Sequence, residues 1–207
     1  MSASTELRTD SDPPKRKLVL SAATSLFMAH GYGAVSMDAI ARAAGVSKAT
    51  LYAYFSSKDA LFATIIDDAC HESVAPDGIL PCDATDVRAA LEAFGGRMLR
   101  FFLEERALAI HRVVIAESVR FPELGRAFYD SGPTTVHRAF GEWLSEQTAA
   151  GRLAVANPLI AAEQFIGMLR TRPFLRATLG MAPPTEAEVD EVVRAAVDTF
   201  LKAYGSR

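Results

Sequence analysis

The stretch Ser36–Leu61, SMDAIARAAGVSKATLYAYFSSKDAL, decides the fold, because it sets two short helices against each other across a glycine turn and at once starts a third. Ser36 has a short oxygen-bearing side chain that can accept from the first amides of a helix, and Asp38 puts negative charge into that helix's first turn. Met37, Ile40 and Ala44 fall on one face, while Asp38 and Arg42, four apart, can pair on another. Gly45 can adopt the left-handed conformation that closes a helix, with Val46 packing back under the turn. Ser47 then caps a second helix, Lys48 to about Tyr54, which turns Leu51 and Phe55 inward and exposes Lys48, Ala49, Thr50 and Tyr52. Ser57 caps the helix that follows.

A short exposed helix with polar groups at its start suits the major groove of DNA, where a recognition helix presents its first residues to base edges. Lys48 can donate to guanine O6 or N7, or else neutralise a phosphate; Thr50 offers a hydroxyl to phosphate and a methyl to thymine. Tyr52 and Tyr54 can reach phosphates with their phenols, and the amides behind Ser57, together with Lys58, form another phosphate-sized position.

These residues resemble the signature of the tetracycline-repressor (TetR) family of bacterial transcription factors. The match runs from AAxxLFxxxGY (Ala22, Ala23, Leu26, Phe27, Gly31, Tyr32) through IAxxAGVSxxTLYxYFxSKxxL. The resemblance implies DNA contacts at Lys15, Ser36, Ser47, Lys48, Ala49, Thr50, Tyr52, Tyr54 and Lys58, with Lys48 at a base-reading position. Two positions depart from the pattern: Tyr54 stands where many members carry histidine, and Ala49 where others place glycine or proline. A second segment, HRVVIAESVRFPELGRAFYDSGP at 111–133, resembles the AefR-like C-terminal domain of one TetR subset.

Charge is distributed in keeping with this. The 207-residue chain carries a formal net charge of −3, yet Lys15, Arg16, Lys17, Arg42, Lys48 and Lys58 face only Asp38 between residues 13 and 58. A basic head on an acidic body confines phosphate affinity to one end. Half the residues are apolar, enough for a real core, and no uncharged apolar run is long enough to span a bilayer. The first dozen residues lack the order of a secretory signal and read as a disordered arm; two cysteines without paired spacing, Cys70 and Cys82, suit free thiols in the cytoplasm.

Helical periodicity continues throughout. Leu18, Ala22, Leu26 and Ala29 stripe a first helix ending at Gly31; Leu61, Phe62, Ile65 and Ile66 stripe a fourth that runs toward His71 and stops before Pro76, Gly78 and Pro81. Val87, Leu91, Phe94, Met98 and Phe101 or Phe102 mark a long helix, Leu108 to Val119 another, and shorter ones follow around Phe128 and Trp143. Two final long helices, about Pro158–Arg172 and Glu186–Tyr204, are apolar on more than one face and predict a twofold homodimer packed through them. The expected fold is therefore all-α with about nine helices. It comprises an arm at 1–12, a three-helix helix-turn-helix head at 13–58, and an effector-binding and dimerisation body at 59–207.

The family resemblance implies a small-molecule effector among the central helices. Phe94, Met98, Phe101, His111, Ile115, Phe128, Phe165 and Met168 are candidate lining residues, with Phe102, Val114, Tyr129 and Phe174 beside them, and the effector is expected to be apolar or aromatic. Aromatic and methionine stripes equally fill cores, so a dimeric DNA-binding or nucleoid protein with a packed body stands as the alternative. Enzyme motifs are missing: there is no GxSxG, Walker loop, HExxH or CxxC, and His30, His71, His111 and His137 are scattered, so neither metal nor cofactor is expected. The expected partners are a palindromic double-stranded operator, an effector and a second copy of the chain.

Overall fold

The computed structural model describes residues 14–74 and 86–206, with side chains from Cys70 to Val74 left aside. The arm at 1–12, the break at Pro76–Pro81, Cys82 and the Cys70 thiol lie outside the described residues. Among these residues the chain forms eleven helices and no strand. They are α1 (Pro14–His30), α2 (Met37–Ala43), α3 (Lys48–Tyr54), α4 (Lys58–Val74), α5 (Val87–Leu103), α6 (Glu105–Glu117), α7 (Pro122–Ser131), α8 (Pro133–Ala149), α9 (Pro158–Leu169), α10 (Arg172–Thr178) and α11 (Glu186–Tyr204). An isolated antiparallel bridge, Leu153 to Gly205, ties the α8–α9 turn to the end of α11. None of these helices is long and apolar enough to cross a membrane.

Local chemistry sets the boundaries. Ser36 Oγ accepts from the Ala39 amide at 3.1 Å, Ser47 Oγ from Thr50 at 3.0 Å and Ser57 Oγ from Ala60 at 3.1 Å. Gly45 sits at φ +66°, which lets the Val46 amide reach the Ala41 carbonyl at 3.0 Å and close α2. One expected helix divides. The apolar run read as Pro158–Arg172 ends at Leu169, where Arg170 turns to ψ 51°, because Pro173 cannot continue a helix interior and instead sits in the first turn of α10.

Two apolar clusters carry the fold. The body cluster stacks Phe94 on Phe140 (centroids 4.4 Å apart), Phe140 on Trp143 (6.0 Å) and Phe165 edge-on to Phe200 (5.3 Å), drawing on α5, α8, α9 and α11. In α11, Val189, Val193, Ala196, Val197 and Phe200 are all buried within this chain, leaving Glu191, Arg194 and Asp198 outward. Its second apolar row is thus absorbed by its own subunit, whereas α9 keeps Leu159 and Ile160 exposed. The head cluster joins α1, α2, α3 and α4, but also takes Ile110 and Val114 from α6 and Leu124 from α7.

Candidate nucleic-acid interface and body cavity

Helix α3, the expected recognition helix, is anchored by Leu51, which is fully buried, and by Phe55 just past its end. That orientation leaves Lys48, Ala49, Tyr52 and Tyr54 exposed and Thr50 half-exposed, with Ser36, Ser47 and Lys15 also at the surface. The α3 start is pre-arranged: Ser47 Oγ and Thr50 Oγ1 lie 2.8 Å apart, so the Thr50 side chain is held by the residue that caps it. Lys48 Nζ pairs with Asp38 of α2 at 2.8 Å, and that hydrogen bond raises the ammonium's pKa. Both partners are exposed, so the pair contributes little and costs little to open.

Lys58 is placed differently. Its Nζ donates to the carbonyls of Tyr32 (2.8 Å) and Val35 (3.0 Å) and lies 4.1 Å from the Tyr32 ring centre. Two of its three donors therefore tie α4 to the α1–α2 loop, and burial pulls its pKa down against the carboxylates of Asp59, Glu117 and Glu123. The signal for this was not local, since the accepting carbonyls belong to a loop more than twenty residues earlier.

The same loop is gripped from the body. Glu117, the last residue of α6, accepts from the backbone amides of Tyr32 at 2.8 Å and Gly33 at 2.6 Å. Phe121 packs edge-on against Tyr32 at 5.7 Å, and a Cβ on Gly33 would meet the Phe121 ring at 2.7 Å, so only glycine lets the loop approach. Gly31, at φ +78°, has the Glu117 carboxylate directly beside it. Tyr32 itself is fully buried and its phenol donates to Asp59; burial, then that bond, pushes its pKa up.

At its other end α6 borders a cavity in the body that is lined almost wholly by apolar side chains and is partly open to solvent. Of the expected lining residues, Met98, Phe101, His111 and Phe128 meet there, with Phe102 and Phe174. Phe94 and Phe165 lie instead in the sealed aromatic stack, one turn from the cavity; Met168 packs on that cluster, and Ile115 faces solvent. Sequence reading missed His137 and Arg170, whose place depends on the α9 break. Burial lowers the pKa of both histidines, aided by Arg170 and Arg112 at His111 and, at His137, by Arg170 against the opposing pull of Glu163. No group of described His, Cys, Asp or Glu residues could hold a metal ion.

Comparison with known proteins agrees with this geometry. Residues 19–65 match the family model described as "Bacterial regulatory proteins, tetR family", and residues 89–206 match "AefR-like transcriptional repressor, C-terminal domain". The solved structure of the "Flavonoid-responsive Regulator FrrA" is 42% identical, covers 93% of this chain and 98% of its own, and superposes with a TM-score of 0.78. A TetR-family regulator from Mesorhizobium loti is 29% identical, with coverages of 92% and 96% and a TM-score of 0.79. Among curated relatives, the regulator UidR of Escherichia coli K12 is 32% identical over 119 residues, 54% of this chain and 55% of its own length. The regulator YhgD of Bacillus subtilis is 46% identical over 48 residues, 23% of this chain and 25% of its own length. The match thus spans only a quarter to about half the length of these curated relatives.

Proposed function

This chain belongs to the TetR family of bacterial regulatory proteins, a DNA-binding transcriptional regulator, and from that premise we propose that it is a homodimeric repressor released from a palindromic operator by an aromatic effector. The observation that carries the reading is the run of α6 from the cavity, at Ala107, Ile110 and His111, to the loop preceding the recognition motif, at Glu117. A ligand that reshapes the cavity wall acts on the helix that holds the head. The aromatic lining supports an aromatic effector, and a relative of 42% identity described as flavonoid-responsive points to the flavonoid class.

Twofold association would set two copies of α3 in successive major grooves, about 34–36 Å apart. Exposed Leu159 and Ile160 of α9 support that helix as the main partner surface, with the polar outer face of α11 at its margin. The apolar cavity beside α6 is what sets this reading against the packed-body alternative. The test is footprinting of the purified protein on genomic DNA with and without a flavonoid panel. Protection of a palindromic site that is lost with one flavonoid supports the proposal; uniform sequence-independent coverage, unchanged by every compound, would leave the nucleoid reading standing.

A further inference from the structure

Among the described residues, Arg170 is the only charged side chain lining the cavity. Its guanidinium lies 4.4 Å from the Phe102 ring centre and 5.4 Å from that of Phe174, two rings themselves set edge to face at 5.8 Å. Four other arginines of the body pair with acids: Arg100 with Glu186, Arg88 with Asp198, Arg176 with Glu188 and Arg112 with Glu105. Arg170 has no carboxylate partner among the described residues, and no Asp or Glu lines the cavity. The charge is not neutralised by the histidines either. Arg170 is still open to solvent, and stacking on the two aromatic faces fixes the guanidinium plane at the cavity while leaving its edge N–H donors available to an incoming group.

We infer that the effector is an aromatic molecule bearing one anionic oxygen group, and that Arg170 is the specificity-determining residue that receives it, with the rings of Phe101, Phe128 and Phe174 holding the aromatic body. Oxyanion recognition by a fork of parallel N–H donors is the strongest polar contact an arginine makes, and here it would form beside a lining that is otherwise almost entirely apolar. His111 Nδ1 or Nε2, 5.4 Å ring to ring from Phe174, supplies a neutral donor or acceptor for a second polar substituent. This inference rests on the cavity being the effector site and adds the charge class of what enters it.

The test pairs two probes of matched shape on the full-length protein, 2-naphthoate and its uncharged isostere 2-acetonaphthone, by isothermal titration calorimetry at pH 7.5. Wild-type protein should bind naphthoate at least about tenfold more tightly. Arg170→Met should abolish that preference with little change for acetonaphthone, and Arg170→Lys should restore part of it. Ala107→Trp, which fills the cavity from α6, should block both probes. Equal affinity for the two, or a preference that survives Arg170→Met, overturns the role of Arg170. If acetonaphthone binding also survives Ala107→Trp, or neither probe binds, the cavity is not the effector site and the broader reading falls as well.

Discussion

Replacing Glu117 by glutamine should loosen the head from the body by a measurable amount. The carboxylate accepts two backbone amides, at 2.8 and 2.6 Å, and charge-assisted bonds of this kind contribute about 1.5–3 kcal/mol each when shielded from water. The Gly33 contact is exposed, so the pair together is nearer about 2–3 kcal/mol. Glutamine keeps one acceptor oxygen but turns an amide donor toward the other backbone N–H, which leaves that donor opposed by another. A loss of about 1–2 kcal/mol follows, and for a chain of this size each kilocalorie moves the melting temperature by about 2–4 °C. Calorimetry should therefore show a fall of about 2–8 °C, and hydrogen exchange should locate it, with the Tyr32 and Gly33 amides losing protection ahead of the α5 core. Unchanged exchange at those two amides, whatever happens to the melting temperature, would refute the reasoning.

Other outcomes can be checked with the same protein. Lys48→Ala should weaken the cognate operator more than scrambled DNA in gel-shift titrations; equal losses would remove it from base readout. Lys58→Met should lower the melting temperature while leaving the salt dependence of DNA binding in place, because its charge is spent on the Tyr32 and Val35 carbonyls; a slope shallower by about one would return it to phosphate contact. Gly31→Ala, at φ +78° and against the Glu117 carboxylate, should destabilise by about 2 kcal/mol or more, read by urea unfolding. His111 and His137 have folded pKa values below the ordinary 6.5, so the unfolded chain binds more protons in the window just below 6.5. Stability should fall as pH drops through that window, and the double variant His111→Asn/His137→Asn should flatten the decline in pH-dependent unfolding curves.

What could be read from the residues was what depends on near neighbours. Ser36, Gly45, Ser47 and Ser57 act within a few positions of themselves, so α2, α3 and the start of α4 were visible in one stretch. Helical periodicity also identified which positions are apolar, but it says nothing about which neighbour each one meets. Phe94 and Met98 share a face of α5, one turn apart; the first is sealed against Phe140 and the second opens into the cavity, because the cavity begins between them along the helix axis. Lys58 read as a phosphate contact, and Glu117 carried no role of its own, because the loop at Tyr32 that both of them meet lies far away along the chain. Arg170 was hidden by reading α9 one turn too long, although Pro173 carried the signal.

The head cluster's use of Ile110, Val114 and Leu124 has a practical consequence for engineering. A chimera that grafts this chain's first four helices onto another regulator's body would expose the apolar surface those three residues cover and lose the clasp at Glu117. Swapping DNA specificity between regulators of this kind therefore calls for a different cut. The corner from α6 to α7 should travel with the head, or only the solvent-facing positions of α3 should be exchanged.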